Sequence, residues 1–386
     1  MWALTPLTEE QREIQRVARD FARNEIAPFS AAWDRDSYFE PSLIPKLGQL
    51  GVLGMLIPEK YDGLGLDVLT YLVALEEIAT VDASVAVMVS VHNSLPTHMI
   101  MRWGNEEQKE RFLKPMARGE LLGAFALSEP EAGSDAASLR CQAVRDGECW
   151  VLNGTKAWVS SGTHAGVIVA MARTDSARDR RGARGISAFI LTPDLPGFHI
   201  GKKEDKMGLR ASPTVQIHFD NVRVPAANLL GQEGMGFIYA MQSLDSGRLG
   251  ISAQAIGVAE AALRYSAAYA AERRQFGHPL KEFQAIQFRL ADMATRVAAS
   301  RALLHMSATA RDRGEQITQF SAMAKLLASE TAMWVTTQAI QIFGGYGYMS
   351  EYPVERLFRD AKVMEIYEGT SEIQRIVIAR EMYSRK

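Results

Sequence analysis

Apolar positions along the first third of the chain recur at helical spacing. Ile14, Val17, Ala18 and Phe21 follow Thr8 and Gln11, a serine/threonine–glutamine pair at capping-box distance. Further helical patterns cover 41–51, 67–80, 82–101 and 105–117, with the Gly-rich loop "PEKYDGLGL" between them. From about 123 the period changes to two. "TVQIHFDNVRVP" alternates Val215, Ile217 and Phe219 with Gln216, His218 and Asp220, and "GVIVAMART" and "GISAFILT" suit buried strands. Asp146-Gly147 and Asn153-Gly154 predict turns, and "DSARDRRGARG" predicts a basic surface loop. From about 233 the pattern is helical again and long. One run covers about 38 residues without proline, a second spans about Phe283 to Arg313, and a third about Thr318 to Phe343. The expected architecture is α+β, with an N-terminal α-helical domain (1–122), a middle antiparallel β-domain (123–232) and a C-terminal four-helix bundle (233–386). That order places a crevice between layers, where ligands tend to bind.

Composition narrows the possibilities. The 386 residues suffice for two or three domains with a large core. A net charge of −2 gives no reason to expect a nucleic-acid or anionic-membrane partner. The opening "MWALTPLTEEQREIQ" has no basic and apolar leader pattern, and no apolar run reaches the roughly 18 residues of a spanning helix. The expectation is a protein of a reducing compartment, cytoplasmic in a bacterium or the mature form in a mitochondrial matrix. Cys141 and Cys149 flank the Asp146-Gly147 turn; they could face each other across a hairpin, but free thiols are favoured. The seven histidines have no metal-binding spacing, so no metal is expected, and no G-x-S-x-G elbow is present.

Several stretches carry candidate chemistry, each with an ordinary alternative. "FALSEPEAGSD" (Phe125 to Asp135) is rich in hydroxyls and backbone donors and could cradle a ring edge or phosphate, or be a polar linker. "NGTKAWVSSG" sets Trp158 beside hydroxyls, suitable for stacking on a planar group or for a β-core. In "ERRQFG", Arg273 or Arg274 could meet a phosphate or complement a helix C-terminus. Gly344-Gly345 could admit a pyrophosphate or merely end a helix; the preceding helix excludes a Rossmann fingerprint. Asp245 and Arg248 are spaced for an i,i+3 ion pair. In "VMEIYEGTSEIQRIVIAR", Ser371 and Glu372 suit a helix start, while Glu365 and Glu368 stand just before it as a solvated cap or as a catalytic base.

In order, "ALSEPEAGSD", "NGTKAWVSSG", "KMGLRASPT", "FDNVRVP", "GQEGMGF", "ERRQFG", "FQAIQ", "QIFGGYGY", "EYPVERLFRDAK" and "IYEGTSEIQ" make the chain resemble the acyl-CoA dehydrogenase family nearly end to end. The resemblance implies a homotetramer, a dimer of dimers, with FAD held non-covalently in each subunit. It carries FAD contacts onto Phe125, Leu127, Ser128, Gly133 and Ser134, and onto Trp158, Val159 and Ser160. Arg273, Phe276, Gln284, Gln341, Gly344 and Gly345 match contacts made by a neighbouring subunit, and Thr370 and Glu372 match contacts just after the catalytic base.

By the same resemblance Glu368 is the base that removes the α-proton of an acyl-CoA thioester, while hydride leaves the β-carbon for the flavin to give a trans-2-enoyl-CoA. Tyr367 and Gly369 flank it at the thioester, and Ser134, Asp245 and Arg248 match contacts to CoA. Some relatives carry the base at the position of Gly247 instead, which strengthens Glu368. Ala86 stands where a glutaryl-type enzyme has arginine, so a dicarboxylyl substrate is disfavoured. The implied activity is dehydrogenation of a short- to medium-chain, or branched, acyl-CoA, with electrons passed to electron transfer flavoprotein. Short-chain (butyryl-type) and short branched-chain enzymes resemble it most. The alternatives are an acyl-CoA oxidase, disfavoured by chain length, and a non-catalytic or DNA-associated relative, disfavoured by Glu368 and the net charge.

Overall fold

The computed structural model describes residues 6–175 and 182–384. The predicted basic loop 175–185 falls mostly on 176–181 and so lies outside the described residues. Helices fill the first segment. Thr8 and Gln11 close the expected capping box at the start of the helix Glu9–Phe21, each side chain bonding the other's backbone N–H. Helices Leu43–Gln49, Val68–Ala79 and Ala83–His92 follow. The pattern over 82–101 is one continuous helical path, but a π-turn at Asn93–Thr97 absorbs Pro96 before the helix resumes at His98–Trp103. Proline cannot donate to the regular ladder, and a wider turn accommodates it.

The middle segment forms an eight-stranded sheet: β1 Leu122–Ala126, β2 Gln142–Asp146, β3 Cys149–Ser160, β4 Ala165–Arg173, β5 Ile186–Leu191, β6 Phe198–Lys203, β7 Thr214–Pro225 and β8 Leu229–Leu230. It is mainly antiparallel, as the alternating pattern predicts, although β4 pairs in parallel with β1 and with β2. Asp146-Gly147 makes the expected β2–β3 hairpin, with Gly147 at φ +58°. Asn153-Gly154 does not turn the chain. It lies inside β3, where the register against β7 shifts between Leu152 and Gly154. The reason is local crowding: a Cβ on Gly154 would stand 2.9 Å from Cys141 Cα, so the glycine serves a bulge that passes close to another strand. Cys141 and Cys149 are both free thiols.

The C-terminal segment contains helices Gly236–Glu272, Gln284–Asp312, Thr318–Phe343, Pro353–Met364 and Ser371–Ser384. The first is alanine-rich and almost continuously buried from Ser246 to Ala262, so it is the axis on which the other helices pack. Ion pairs at its flank fix the arrangement. Arg301 reaches Glu76 (2.6 Å) and Glu260 (3.0 Å), joining three helices, and the Asp312 carboxylate accepts the N–H groups of Val68 and Leu69 at an open helix start. The helix Pro353–Met364 is tied to the middle domain by Asp360, which accepts from Leu209 N (2.6 Å).

Candidate active site

Between the last two helices the chain makes a tight passage through residues 365–370. Glu368 and Gly369 adopt successive left-handed conformations, φ +51° and φ +92°. For glutamate this geometry costs of order 1–3 kcal/mol and persists only when neighbours hold it. Three groups do so. Gln374 Nε2 donates to the carbonyls of Glu368 (3.1 Å) and Gly369 (2.8 Å), and Lys325 Nζ donates to Gly369 O (2.8 Å). Tyr367 donates to Gln254 Oε1 (2.5 Å), whose amide donates to Ala83 O (2.7 Å). Thr370 Oγ1 accepts from Ile373 N, capping the final helix just before the expected Ser371 start.

The held turn aims Glu368 inward. The residue as a whole keeps partial exposure, yet both carboxylate oxygens are inaccessible and neither has a hydrogen-bond partner among the described residues. They lie against Gly247: a Cβ there would overlap the carboxylate. The two positions at which the resemblance places a base in different relatives therefore converge on one spot. Burial without hydrogen bonds disfavours the charged form, and it pushes the Glu368 carboxyl up to about 7, against the pull of Lys325 and Arg248. A carboxylate with free lone pairs and that proton affinity is equipped to take a proton near neutral pH. Near it stands the buried hydroxyl of Tyr71, which lies with that of Ser90 beside Gly250. Asp245 and Arg248 make the predicted ion pair; Thr318 also donates to Asp245 (2.8 Å). Glu365 pairs with Lys362 (2.6 Å), and Glu372 is exposed on the final helix.

The middle-domain candidates form a second group. Phe125 ends in β1, and Ser128 O accepts from Ala157 N (2.9 Å), laying the loop after β1 along β3. Beneath it the fully buried Lys156 binds Glu129 (2.8 Å) and Leu127 O (3.0 Å), while Glu129 accepts from the N–H groups of Arg140 and Cys141. Trp158 sits at a register shift with φ +54° and is 58% exposed, whereas Val159 is buried. Trp158 is thus not a core residue, the commoner fate of a strand tryptophan. Gly133 is open on its Cβ side and Ser134 is exposed.

A third group lines a cleft of about 430 Å³ whose walls include Tyr269, Arg273, Gly344, Gly345 and Tyr346. Arg273 lies over the Tyr346 ring (5.2 Å) and has no carboxylate partner among the described residues. A Cβ at either glycine would meet nothing within 4 Å, so a ligand could approach the chain closely here, although the Gly344 N–H already donates to Ile340 O. Phe276 is 92% exposed, and Gln284 and Gln341 are exposed too, but none of the three is a wall of this cleft. Nor is any residue of 125–134 or 158–160. No cluster of metal-ligating side chains occurs among the described residues.

Three family models match in chain order: the acyl-CoA dehydrogenase N-terminal domain over residues 8–120, the middle domain over 124–222 and the C-terminal domain over 234–383. The chain belongs to the acyl-CoA dehydrogenase family. The mitochondrial short-chain specific acyl-CoA dehydrogenase of Mus musculus is 48% identical over 97% of this chain and 90% of its own. The solved butyryl-CoA dehydrogenase of Megasphaera elsdenii superposes with a TM-score of 0.96 at 44% identity, covering 99% of this chain and 100% of that one. A chain in a structure described as the electron transferring flavoprotein of Acidaminococcus fermentans superposes equally well, TM-score 0.96 at 45% identity over the whole of both chains. The protein is accordingly a flavin-dependent oxidoreductase with the fold of these acyl-CoA dehydrogenases.

Family motifs pointed to Glu368, Tyr367 and Gly369 but not to the residues that hold them. Lys325 and Gln254 lie outside the quoted motifs, and Gln374 ends "IYEGTSEIQ" without being singled out; the legible hint for Lys325 is a lysine within the apolar, alanine-rich run "SAMAKLLASE". The residues present fit FAD. Exposed Trp158, the open Gly133 loop and the unpaired Arg273 beside two open glycines offer a ring platform, backbone donors and a phosphate partner.

Proposed function

We propose that this enzyme dehydrogenates a short-chain acyl-CoA thioester between Cα and Cβ, giving the trans-2-enoyl-CoA, with Glu368 as the base. The observation that carries this reading is the buried carboxylate of Glu368, free of hydrogen bonds and raised in proton affinity. The α-hydrogen of a thioester is a weak acid, so the base must be desolvated and placed against it, and the left-handed turn at 368–369 supplies that placement. Gly369 leaves the thioester room and Tyr367 walls the base from solvent. Asp245, Arg248 and Ser134 are assigned to CoA. FAD, when bound, supplies the two-electron acceptor for the hydride leaving Cβ.

Phe125, Leu127, Ser128, Gly133, Ser134, Trp158, Val159 and Ser160 are assigned to the flavin held by one subunit. Arg273, Phe276, Gln284, Gln341, Gly344 and Gly345 are assigned to the FAD of a neighbour, with Thr370 and Glu372 beside the base. The family resemblance supports a site completed by a second copy, and so a homotetramer. Electron transfer flavoprotein is the proposed acceptor, in keeping with the Acidaminococcus fermentans relative. The short-chain preference follows the mouse and Megasphaera elsdenii relatives. No helix among the described residues is long and apolar enough to cross a membrane; the cytoplasm or a mitochondrial matrix is the proposed location.

The test is Glu368→Gln. This variant keeps shape and should bind FAD and butyryl-CoA, but it should fail to bleach the flavin under anaerobic mixing. Bleaching at the wild-type rate would refute the assignment.

A further inference from the structure

Among the described residues two lysines are completely buried, and they differ in their partners. Lys156 has a carboxylate, Glu129, at 2.8 Å. Lys325, in the helix Thr318–Phe343, has none within ion-pair distance among the described residues; its ammonium makes a single hydrogen bond, to the carbonyl of Gly369. Burying an ammonium is expensive unless charge returns the cost, and a methionine would fill the same space for less. The charge must therefore be felt by something nearby. Several groups face this place. Glu368 and Tyr367 come from the turn, Tyr71 from the helix Val68–Ala79, and Arg248 from the helix Gly236–Glu272. Glu365 and Glu372 lie at the ends of the last two helices. Arg248 is engaged by Asp245, Glu365 by Lys362, and Glu372 is exposed. Glu368 is the buried carboxylate left without a bonded cation.

We propose that Lys325 is a positioning residue for the reaction: it pins the strained 368–369 turn through the Gly369 carbonyl and supplies Glu368 with a buried positive charge that keeps the base ionised. The hydrogen bond acts one residue from the base, at the position with φ +92°, and Gln374 shares the same carbonyl. The charge acts on the carboxylate through a dry interior, where Coulomb interactions are strong. Burial pushes both groups toward their neutral forms, and each opposes that shift in the other. Burial lowers Lys325 to about 8 while Glu368 pulls it back up, and the two titrations belong to the pair.

The inference rests on Glu368 as the base, and the experiment separates the two. Holoenzyme is mixed anaerobically with butyryl-CoA, and the flavin-bleaching rate is followed against pH for the wild type, Lys325→Met, Lys325→Gln and Glu368→Gln. Flavin content and assembly size are measured in parallel. Lys325→Met removes both bond and charge. It should slow bleaching at pH 7 by about tenfold or more and move the acid limb up by about one pH unit. Lys325→Gln retains a donor for Gly369 O, so it should recover most of the plateau rate while keeping the shifted limb. That split would not arise from a purely structural role. Lysine variants with full flavin and a wild-type acid limb would overturn the inference, leaving the base intact if Glu368→Gln is inactive. An active Glu368→Gln would overturn the base itself. If neither lysine variant assembles, Lys325→Arg, which keeps both a donor and the charge, decides: it should keep the wild-type acid limb, and a limb moved up by about one pH unit refutes the role.

Discussion

A single methyl group at Gly247 tests the geometry of the site more sharply than removal of the base. An alanine Cβ at this helical position would stand 2.7 Å from Glu368 Cδ and 3.0 Å from Oε1, with Oε2 closer still. Carbon atoms in contact prefer about 3.5–4.0 Å, so the carboxyl carbon must withdraw by about 1 Å. A misplacement of that size costs about 100-fold in the chemical step. The helix itself should gain, because alanine in a helix interior is favoured over glycine by about 0.5–1 kcal/mol, and Gly247 has ordinary helical backbone angles. Gly247→Ala is therefore expected to keep its flavin and its melting temperature while the anaerobic bleaching rate with butyryl-CoA falls about 100-fold. A wild-type rate in a flavin-replete variant would mean that the carboxylate does not work from the place where the structure puts it.

Lys156→Met leaves Glu129 buried beneath the loop after β1 without its cation; breaking such a pair costs about 3–5 kcal/mol, to be read as a drop in melting temperature that Lys156→Met combined with Glu129→Gln partly restores. An unchanged melting temperature would refute the structural role of the pair. Arg273→Ala should weaken FAD binding tenfold or more, since hydrogen bonds to charged groups contribute about 1.5–3 kcal/mol; the fraction of flavin retained after gel filtration checks this, and full retention refutes it. Acid should destabilise the fold through His92 and His98. His92 uses Nε2 toward Leu53 O and accepts from Gly123 N at Nδ1, and burial lowers it to about 4; burial lowers His98 to about 3. Because the unfolded chain takes up protons first, near pH 6.5, their contribution is complete above that pH and is lost as pH falls toward the folded values. Each costs up to about 1.4 kcal/mol per pH unit. Urea midpoints measured at pH 7.5 and pH 5.5 should differ, and the difference should shrink in His92→Gln.

What could be read from the sequence follows the range of the interaction concerned. The Thr8–Gln11 box, the Asp146-Gly147 hairpin and the helix Thr318–Phe343 depend on neighbours within a few residues, and each stands as its pattern predicts. Asn153-Gly154 has the same local signal as a turn, but Cys141 passes across it from β2's approach, and that long-range contact makes the glycine a bulge inside β3. The site repeats the contrast. The run around Glu368 carries a recognisable motif that ends in Gln374, whereas its working geometry also needs Gly247, Gln254 and Lys325, brought in from two other helices. Gly247 reads locally as a weak point in a helix, and Lys325 as a misplaced charge. Only when the turn at 368–369 lies between them do both become intelligible: one vacates the space that the carboxylate occupies, and the other holds the backbone that aims it. A local cost at both positions, a helical glycine and a buried ammonium, is what a strained, desolvated base requires from residues that never touch it in sequence.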